Sequence, residues 1–407
     1  MPDLKRLLDP LSGEEMPGWD EVRRGTSRPV LPFRRVSRVR TIAVTFGLFA
    51  VAAILVWRAF SPGNPAAPDD PSVSPHPSEI PTPTGFSDVD EPIPPVEVVR
   101  SNELTFEDLG GVSSAIEGFG SLWVTVIIEG EQELLRVDPA TGDVLHTFPA
   151  TNFPSHEWGG GGLAIGGGSI WVAGADGRFN QAVLTRIDPT TNAVAEIELE
   201  GQWVADVAFD AQSKRVWALV GGPSEGSARV VEIDAATGEV VLATPFEAES
   251  FGGIVPAAGT AWVLQRVVQQ DTVQGGELVQ IVPGSATSVS LGGSFADPVT
   301  DGRSIWAPFY GDDVAMNMAS GIARIDPATG QVIGEWRTRT VGYDIAVGED
   351  RGVWTLGNRG LNRLNPSTGE VDATVHVPGT PIFIVTSRGG LWIGTYEGGL
   401  IRFDVSA

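Results

Sequence analysis

Gly166-Gly-Gly-Ser-Ile-Trp-Val-Ala, followed after a loop by Ala182-Val-Leu-Thr-Arg-Ile-Asp-Pro-Thr-Thr-Asn-Ala-Val194, is the stretch on which the fold turns. Gly162-Leu-Ala-Ile ahead of it reads as a short apolar strand, and Gly166–Ser169 as a turn. Ile170–Ala173 is a second strand and Ala182–Asp188 a third. Pro189-Thr-Thr-Asn192 is a tight turn, because Pro pre-sets φ and Asn tolerates positive φ. Ala193–Leu199 alternates apolar and polar residues, the pattern of a half-exposed outer strand. Four antiparallel strands of this length make one twisted sheet. Alone it cannot bury both faces; stacked radially against copies of itself it can.

The copies are present. Trp123, Trp171, Trp217, Trp262, Trp306, Trp354 and Trp392 each follow a Gly-rich or polar turn, at spacings of 48, 46, 45, 44, 48 and 38 residues. Each of the first six is followed by a second mark: Arg136-Val-Asp-Pro-Ala-Thr-Gly, Arg186-Ile-Asp-Pro-Thr-Thr-Asn, Glu232-Ile-Asp-Ala-Ala-Thr-Gly, Gln280-Ile-Val-Pro-Gly-Ser, Arg324-Ile-Asp-Pro-Ala-Thr-Gly and Arg363-Leu-Asn-Pro-Ser-Thr-Gly. The seventh copy stops at Arg402-Phe-Asp404. A period of about 40–50 residues with a fixed aromatic and a fixed turn marks radial β-repeats. The expected fold is all-β, a seven-bladed propeller of four-stranded blades over residues 96–407. The tryptophans are expected to fill the gaps between blades, and the Asp-Pro-Ala-Thr-Gly turns to be structural, with Asp capping and Gly taking positive φ. The last repeat lacks an outer strand, and Val96–Phe106 is strand-like and spare. It is expected to complete blade seven and close the ring.

The chain has no cysteine, which excludes disulfides, thiolate nucleophiles and cysteine zinc sites. A ring of this size buries enough apolar surface to do without staples. Residues 61–407 hold 17 Lys/Arg and 45 Asp/Glu, a net of 17 − 45 = −28. So acidic a surface repels nucleic acid and anionic lipid, and tolerates cations, basic peptides or neutral ligands.

Residues 1–40 form a polar tail with a basic second half. It reads as a cytoplasmic tail, or alternatively as a docking peptide for a cytoplasmic partner. Thr41–Trp57 is an uncharged apolar run of 17 residues that Ala59-Phe60 can extend, so residues 41–60 are expected to form one transmembrane helix. Arginines before it and acidic residues after it place the N-terminus inside and the propeller outside the cell membrane. Forty residues precede the run and no small-x-small site follows it closely, unlike a cleaved signal peptide. Residues 61–95 are Pro-, Ser- and Asp-rich and read as a disordered, semi-stiff spacer.

The phrase running through Gly166–Val194, repeated more weakly from about residue 110 to 407, resembles the YVTN/virginiamycin-B-lyase-like group of bacterial propellers. The resemblance implies a seven-bladed propeller, often an extracytoplasmic or membrane-anchored binding module and occasionally an enzyme. The lyase members use histidine and glutamate with a magnesium ion near the central axis. No matching constellation occurs here, so no catalytic residue is carried over. Met16-Pro-Gly-Trp-Asp-Glu-Val-Arg-Arg resembles the juxtamembrane stretch of actinobacterial membrane-bound anti-sigma factors, but the His and Cys ligands of their zinc-binding class are absent.

In propellers the loop entering the innermost strand and the loop between strands two and three share one face. The candidate ligand-binding residues on those loops are His156, Trp158, Trp203, Asp206, Asp297, Tyr343 and Asp344 on the entering side, and Tyr310 and Tyr396 on the other. Aromatics and carboxylates on one rim suit stacking on a sugar ring or holding a cationic group. Gly159–Gly162 is read as a loop and not a phosphate cradle, since no helix follows it. No Ser/His/Asp order and no paired histidines at metal spacing appear. The first expectation is therefore a membrane-anchored propeller that binds an unknown small molecule, carbohydrate or protein, with no cofactor. The rival is a lyase or hydrolase with Asp206, Asp297 and Asp344 around a calcium or magnesium ion. A third reading is a scaffold for a membrane complex.

Overall fold

The computed structural model describes residues 96–105, 111–128, 131–149, 162–175, 181–222, 226–248, 250–269, 272–282, 285–290, 297–310, 320–338, 342–357 and 360–406. The expected tail, transmembrane helix and spacer lie outside the described residues. Every regular element that is described is a β-strand.

The strand β1 (Glu97–Thr105) comes first. Blade one follows as β2 (Val112–Gly118), β3 (Ser121–Ile128), β4 (Glu131–Val137) and β5 (Val144–Pro149). Blade two is β6 (Leu163–Gly166), β7 (Ser169–Ala175), β8 (Ala182–Ile187) and β9 (Val194–Leu199). Blade three is β10 (Trp203–Asp210), β11 (Arg215–Gly221), β12 (Ser227–Asp234) and β13 (Val240–Glu247). Blade four is β14 (Ser250–Ala257), β15 (Thr260–Gln269), β16 (Thr272–Val282) and β17 (Ser285–Ser290). Blade five is β18 (Val299–Thr300), β19 (Ile305–Tyr310), β20 (Ser320–Ile325) and β21 (Val332–Thr338). Blade six is β22 (Gly342–Val347), β23 (Val353–Gly357), β24 (Gly360–Asn365) and β25 (Glu370–Val375). Blade seven is β26 (Pro381–Ser387), β27 (Gly390–Thr395) and β28 (Gly399–Ser406), with β1 as its fourth strand.

Each blade is an antiparallel four-stranded sheet in chain order, except that β1 joins blade seven from the other end of the chain. The first strands of the blades touch one another in a closed circuit, from β2 through β6, β10, β14, β18, β22 and β26 back to β2. They line the axis. β1 pairs antiparallel with β28, from Glu97 opposite Ser406 to Thr105 opposite Gly399. This is the position expected of residues 96–106.

The tryptophans do what their spacing predicts. Each belongs to a different apolar cluster, and each cluster spans two neighbouring blades. Trp123 shares one with Ile170 of blade two, Trp171 with Val204 of blade three, and Trp217 with Ile254 of blade four. Trp262 is clustered with Ile305, Trp306 with Ile345, Trp354 with Ile384, and Trp392 with Leu122 of blade one. Six of the seven are at most 1% exposed, and Trp217 is 7% exposed. A ring of that size buries about 150–250 Å² of surface, so one indole per seam carries much of the seam's apolar energy.

The turns are structural too. The carboxylate of Asp138 accepts the N–H of Ala140 and Thr141, and Asp188 and Asp234 repeat the pattern. The residue that ends each turn, Gly142 or Asn192, has φ of 79° or 58°, the left-handed conformation that Gly and Asn accept most cheaply.

One feature of the repeat was not anticipated. The Arg that opens each turn motif stands directly across the sheet from the tryptophan: Trp123 opposite Arg136, Trp171 opposite Arg186, Trp306 opposite Arg324, Trp392 opposite Arg402. Its guanidinium lies over the indole at 5.3, 5.3, 5.1 and 5.6 Å respectively. From there Arg136 reaches the carbonyl of Pro189 in blade two at 2.7 Å, and Arg186 that of Ala236 in blade three at 3.0 Å. In these two blades the arginine rivets one blade to the next. Blades three and four place Glu232 and Gln280 at this position instead.

Candidate functional site

The inner strands carry a recurring irregularity. Register shifts fall after Val112, Val204, Phe251, Gly342 and Pro381, near the start of β2, β10, β14, β22 and β26. Bulges of this kind re-aim side chains. Two residues before the inner-strand partner of each tryptophan stand, blade by blade, Ser114, Gly162, Asp206, Gly253, Asp297, Asp344 and Phe383. The three aspartates singled out from the sequence thus hold equivalent places around the ring. Asp206 and Asp344 sit inside inner strands and not in the entering loops where the sequence placed them, because the strands begin two residues earlier than their apolar pattern.

These carboxylates are tied to the main chain. Asp206 accepts the N–H of Val207 at 2.8 Å on one oxygen and that of Ile254, in blade four, at 2.8 Å on the other. Asp344 does the same with Ile345 at 2.8 Å and Ile384 of blade seven at 2.9 Å. Asp297 accepts the N–H of Gly253 at 2.7 Å. A side chain at Gly253 has no room: its Cβ would lie 2.7 Å from that of Asp297. Each aspartate therefore staples one blade to its neighbour.

The electrostatics are unusual for structural groups. Burial, and next the charge of Asp297, push the Asp206 carboxyl up to about 7. Burial raises Asp344 to about 7 as well, against the lowering effect of its two N–H donors, and Asp297 adds to the rise. Two axial acids, Asp206 and Asp344, are thus held well above the ordinary carboxylate range by their burial.

The magnesium pattern that the resemblance implies does not fit here. None of the seven axial positions carries histidine or glutamate, and both oxygens of Asp206 and of Asp344 already accept N–H groups. Among the described residues no three His, Asp or Glu side chains are grouped to hold a metal ion.

The rim is built from the starts of the inner strands and the ends of the second strands, as Trp203 opposite Gly221 shows. The Trp203 ring stacks on Phe251 of blade four, with centroids 6.4 Å apart and planes 18° from parallel. On blade seven, Tyr396 is 76% exposed at the tip of the β27–β28 turn. Its N–H donates to the carbonyl of Thr380 at 2.8 Å. Glu397 beside it receives the N–H and hydroxyl of Thr380. The Thr380 N–H, the largest cause, holds the Glu397 carboxyl below its usual range. This clamp fixes two rim loops together and was not legible in the sequence. Tyr310 ends β19 and Tyr343 lies in β22, so the backbone puts both at this end of their blades. His156 and Trp158 lie outside the described residues.

No family model matches the chain, and no curated protein matches it in sequence. Solved structures match in fold. The WD40 domain of Neurospora crassa Pan2 is 10% identical with a TM-score of 0.55, over 75% of this chain and 95% of that one. A chain of Kuenenia stuttgartiensis hydrazine synthase is 13% identical with a TM-score of 0.55, over 72% and 96%. The virginiamycin B lyase of Staphylococcus aureus is 13% identical with a TM-score of 0.52, over 76% and 99%. At these identities the likeness is one of fold, and the seven-bladed propeller agrees with it.

Proposed function

We propose that this is a single-pass membrane protein whose propeller lies outside the cell and binds a ligand or protein partner on its loop rim, as a sensor or scaffold. The apolar run at 41–60, the basic tail before it and the Pro-rich spacer after it support the anchoring. The direction of β1 carries the rest. It enters at the Ser406 end of β28 and finishes opposite Gly399, beside the turn that bears Tyr396. Strand β1 therefore enters the ring at the face opposite the rim. The exposed Tyr396 and the stacked Trp203–Phe251 pair offer that rim aromatic surface for a sugar or peptide. A protease-protection assay on intact cells tests the anchoring: the propeller should be cleaved from outside and the tail protected. A protected propeller defeats the reading.

A second reading, a metal-dependent lyase or hydrolase, draws on one observation. Acids raised to near neutrality and gathered at one place are the raw material of acid–base catalysis. Calorimetric titration with calcium or magnesium tests it, since binding lost in Asp297→Ala and Asp344→Ala would favour it over the binding module.

A further inference from the structure

The first and second strands of each blade are joined by a turn at the end opposite the rim, and all seven of these turns are described. They ring the axis, because the first strands do. At their tips stand Phe119, Lys214, Ala258, Arg303, Arg351 and Arg388, with Gly167-Gly168 in blade two. Phe119 is 47% exposed, and Lys214, Arg303, Arg351 and Arg388 are exposed too. Three of these tips are strained. Phe119, Lys214 and Arg351 have φ of 53°, 57° and 61°, a region that side chains disfavour. Blade two meets the same turn with Gly167, φ 59°. Strain at an exposed tip gains nothing inside the ring, so the side chains held there serve something outside it. Acids lie in the same turns but are engaged by the ring itself. Asp210 and Asp301 accept N–H groups of their own turns, Glu349 accepts that of Gly389, Asp350 holds Arg363, and Glu117 takes the Trp392 indole N–H. Further out on the same face, Val99, Val144, Val194, Val240, Val332 and Val371 stand about half-exposed near the starts of six outermost strands.

We propose that this face rests on the headgroup layer of the membrane that anchors the chain: Lys214, Arg303, Arg351 and Arg388 meet lipid phosphates, and Phe119 enters the boundary with the acyl chains. This docking rests on the anchoring proposed above, and β1 enters the ring at this face. Exposed cations beside an aromatic are the composition of a surface that sits at a membrane interface. Each cation gains from a phosphate-bearing surface close by. The acidic ring would not seek such a surface from solution. The tether makes that unnecessary, because it holds the face at high effective concentration over the bilayer. Beyond about 8 Å the charges elsewhere on the ring are largely screened at physiological salt. Docked in this way, the ring turns its rim away from the membrane, toward whatever it binds.

The chain has no cysteine, so one introduced thiol takes a single label. Full-length protein is labelled with a nitrobenzoxadiazole dye at Ala258→Cys, an exposed tip of this face, or at Tyr396→Cys on the rim. Each is reconstituted in nanodiscs of phosphatidylglycerol and phosphatidylcholine that contain doxyl-labelled lipid. Quenching of the Ala258 label should exceed that of the rim label by about threefold or more. A variant combining Phe119→Gly, Lys214→Gly, Arg351→Gly, Arg303→Gln and Arg388→Gln removes the contact and keeps the fold, because Gly suits the three left-handed tips. In it the two labels should be quenched to within about 1.5-fold of each other, and the ring should melt no lower than the wild type. Equal quenching of the two labels in the otherwise unaltered ring overturns the proposal, and so does a difference that survives the five substitutions. Should the combined variant fail to fold, Phe119→Gly alone should cut the difference by about half, and an unchanged difference counts against the docking. A chain that does not enter the discs defeats the anchoring and this proposal with it, whereas equal quenching in a chain that has entered defeats the docking alone.

Discussion

Replacing Trp171 and Trp262 by Phe separates the rivet from simple bulk. Both indoles are fully buried between blades. Trp171 also donates to the carbonyl of Gly166 at 3.0 Å and lies under Arg186. Trp262 has no acceptor for its N–H among the described residues and faces Gln280. Trp171→Phe loses the same ring volume as Trp262→Phe, and with it a hydrogen bond of about 1 kcal/mol and a cation–π contact of about 0.5–1 kcal/mol. Trp262→Phe removes an unsatisfied buried donor, which offsets about 1 kcal/mol of its own cavity cost. The Trp171 change should therefore be the more damaging by about 2–3 kcal/mol, about 5 °C in a domain of this size. Thermal melts of the two variants side by side make the comparison. Equal losses, or a greater loss for Trp262→Phe, would refute the reasoning that the Arg–Trp pair does more than fill space.

Other expectations are briefer. Deleting residues 96–106 removes the fourth strand of blade seven, so gel filtration should show association and melting should occur at a lower temperature; a monomer of unchanged stability would count against ring closure by β1. Leu104→Ala, at the one well-buried position of β1, should cost about 2–5 kcal/mol in chemical unfolding. Gly253→Ala places a methyl against Asp297 and should destabilise by at least about 2 kcal/mol, whereas Gly120→Ala meets no neighbour and costs only the strain of its positive φ. The folded-state carboxyls of Asp206 and Asp344 lie at about 7, well above the ordinary aspartate value of about 3.9. The folded ring then holds more protons than the unfolded chain between those values, so stability falls as pH rises from about 4 to about 7. About three pKa units at 1.36 kcal/mol each set a ceiling of about 4 kcal/mol per group. Unfolding midpoints across that range should decline in the wild type and decline less in Asp344→Asn.

The ring could be read before it was seen because each repeat states its own strand pattern twice, in the tryptophan and in the turn. The missing outer strand of the seventh repeat and the spare strand at 97–105 were two halves of one statement. The site was less legible. Asp206, Asp297 and Asp344 stood out as carboxylates at similar offsets in their blades, and the charge of Asp297 is felt by the other two. Their hydrogen bonds to Ile254, Gly253 and Ile384 depend on bulges, which leave no composition signal in a single sequence. The Arg–Trp pairing was visible as a repeated letter but not as a contact, because the two residues stand 9 to 18 positions apart and meet only through strand register. Thr380 and Glu397 carry no motif at all; only the closeness of two loops joins them.

The central claim, that the rim binds a ligand while the axial acids hold the ring, is tested most directly by a ligand screen read as thermal shift. The full-length protein is challenged with cell-wall sugars, peptides, lactones, calcium and magnesium. A ligand at a hundred times its dissociation constant adds about 2.7 kcal/mol, which a melt resolves. The account predicts a sugar or peptide shift that is lost in Trp203→Ala or Tyr396→Ala and survives Asp297→Asn. A shift that requires a divalent ion, vanishes in Asp297→Asn and ignores both rim changes would contradict it and move the function to the axis.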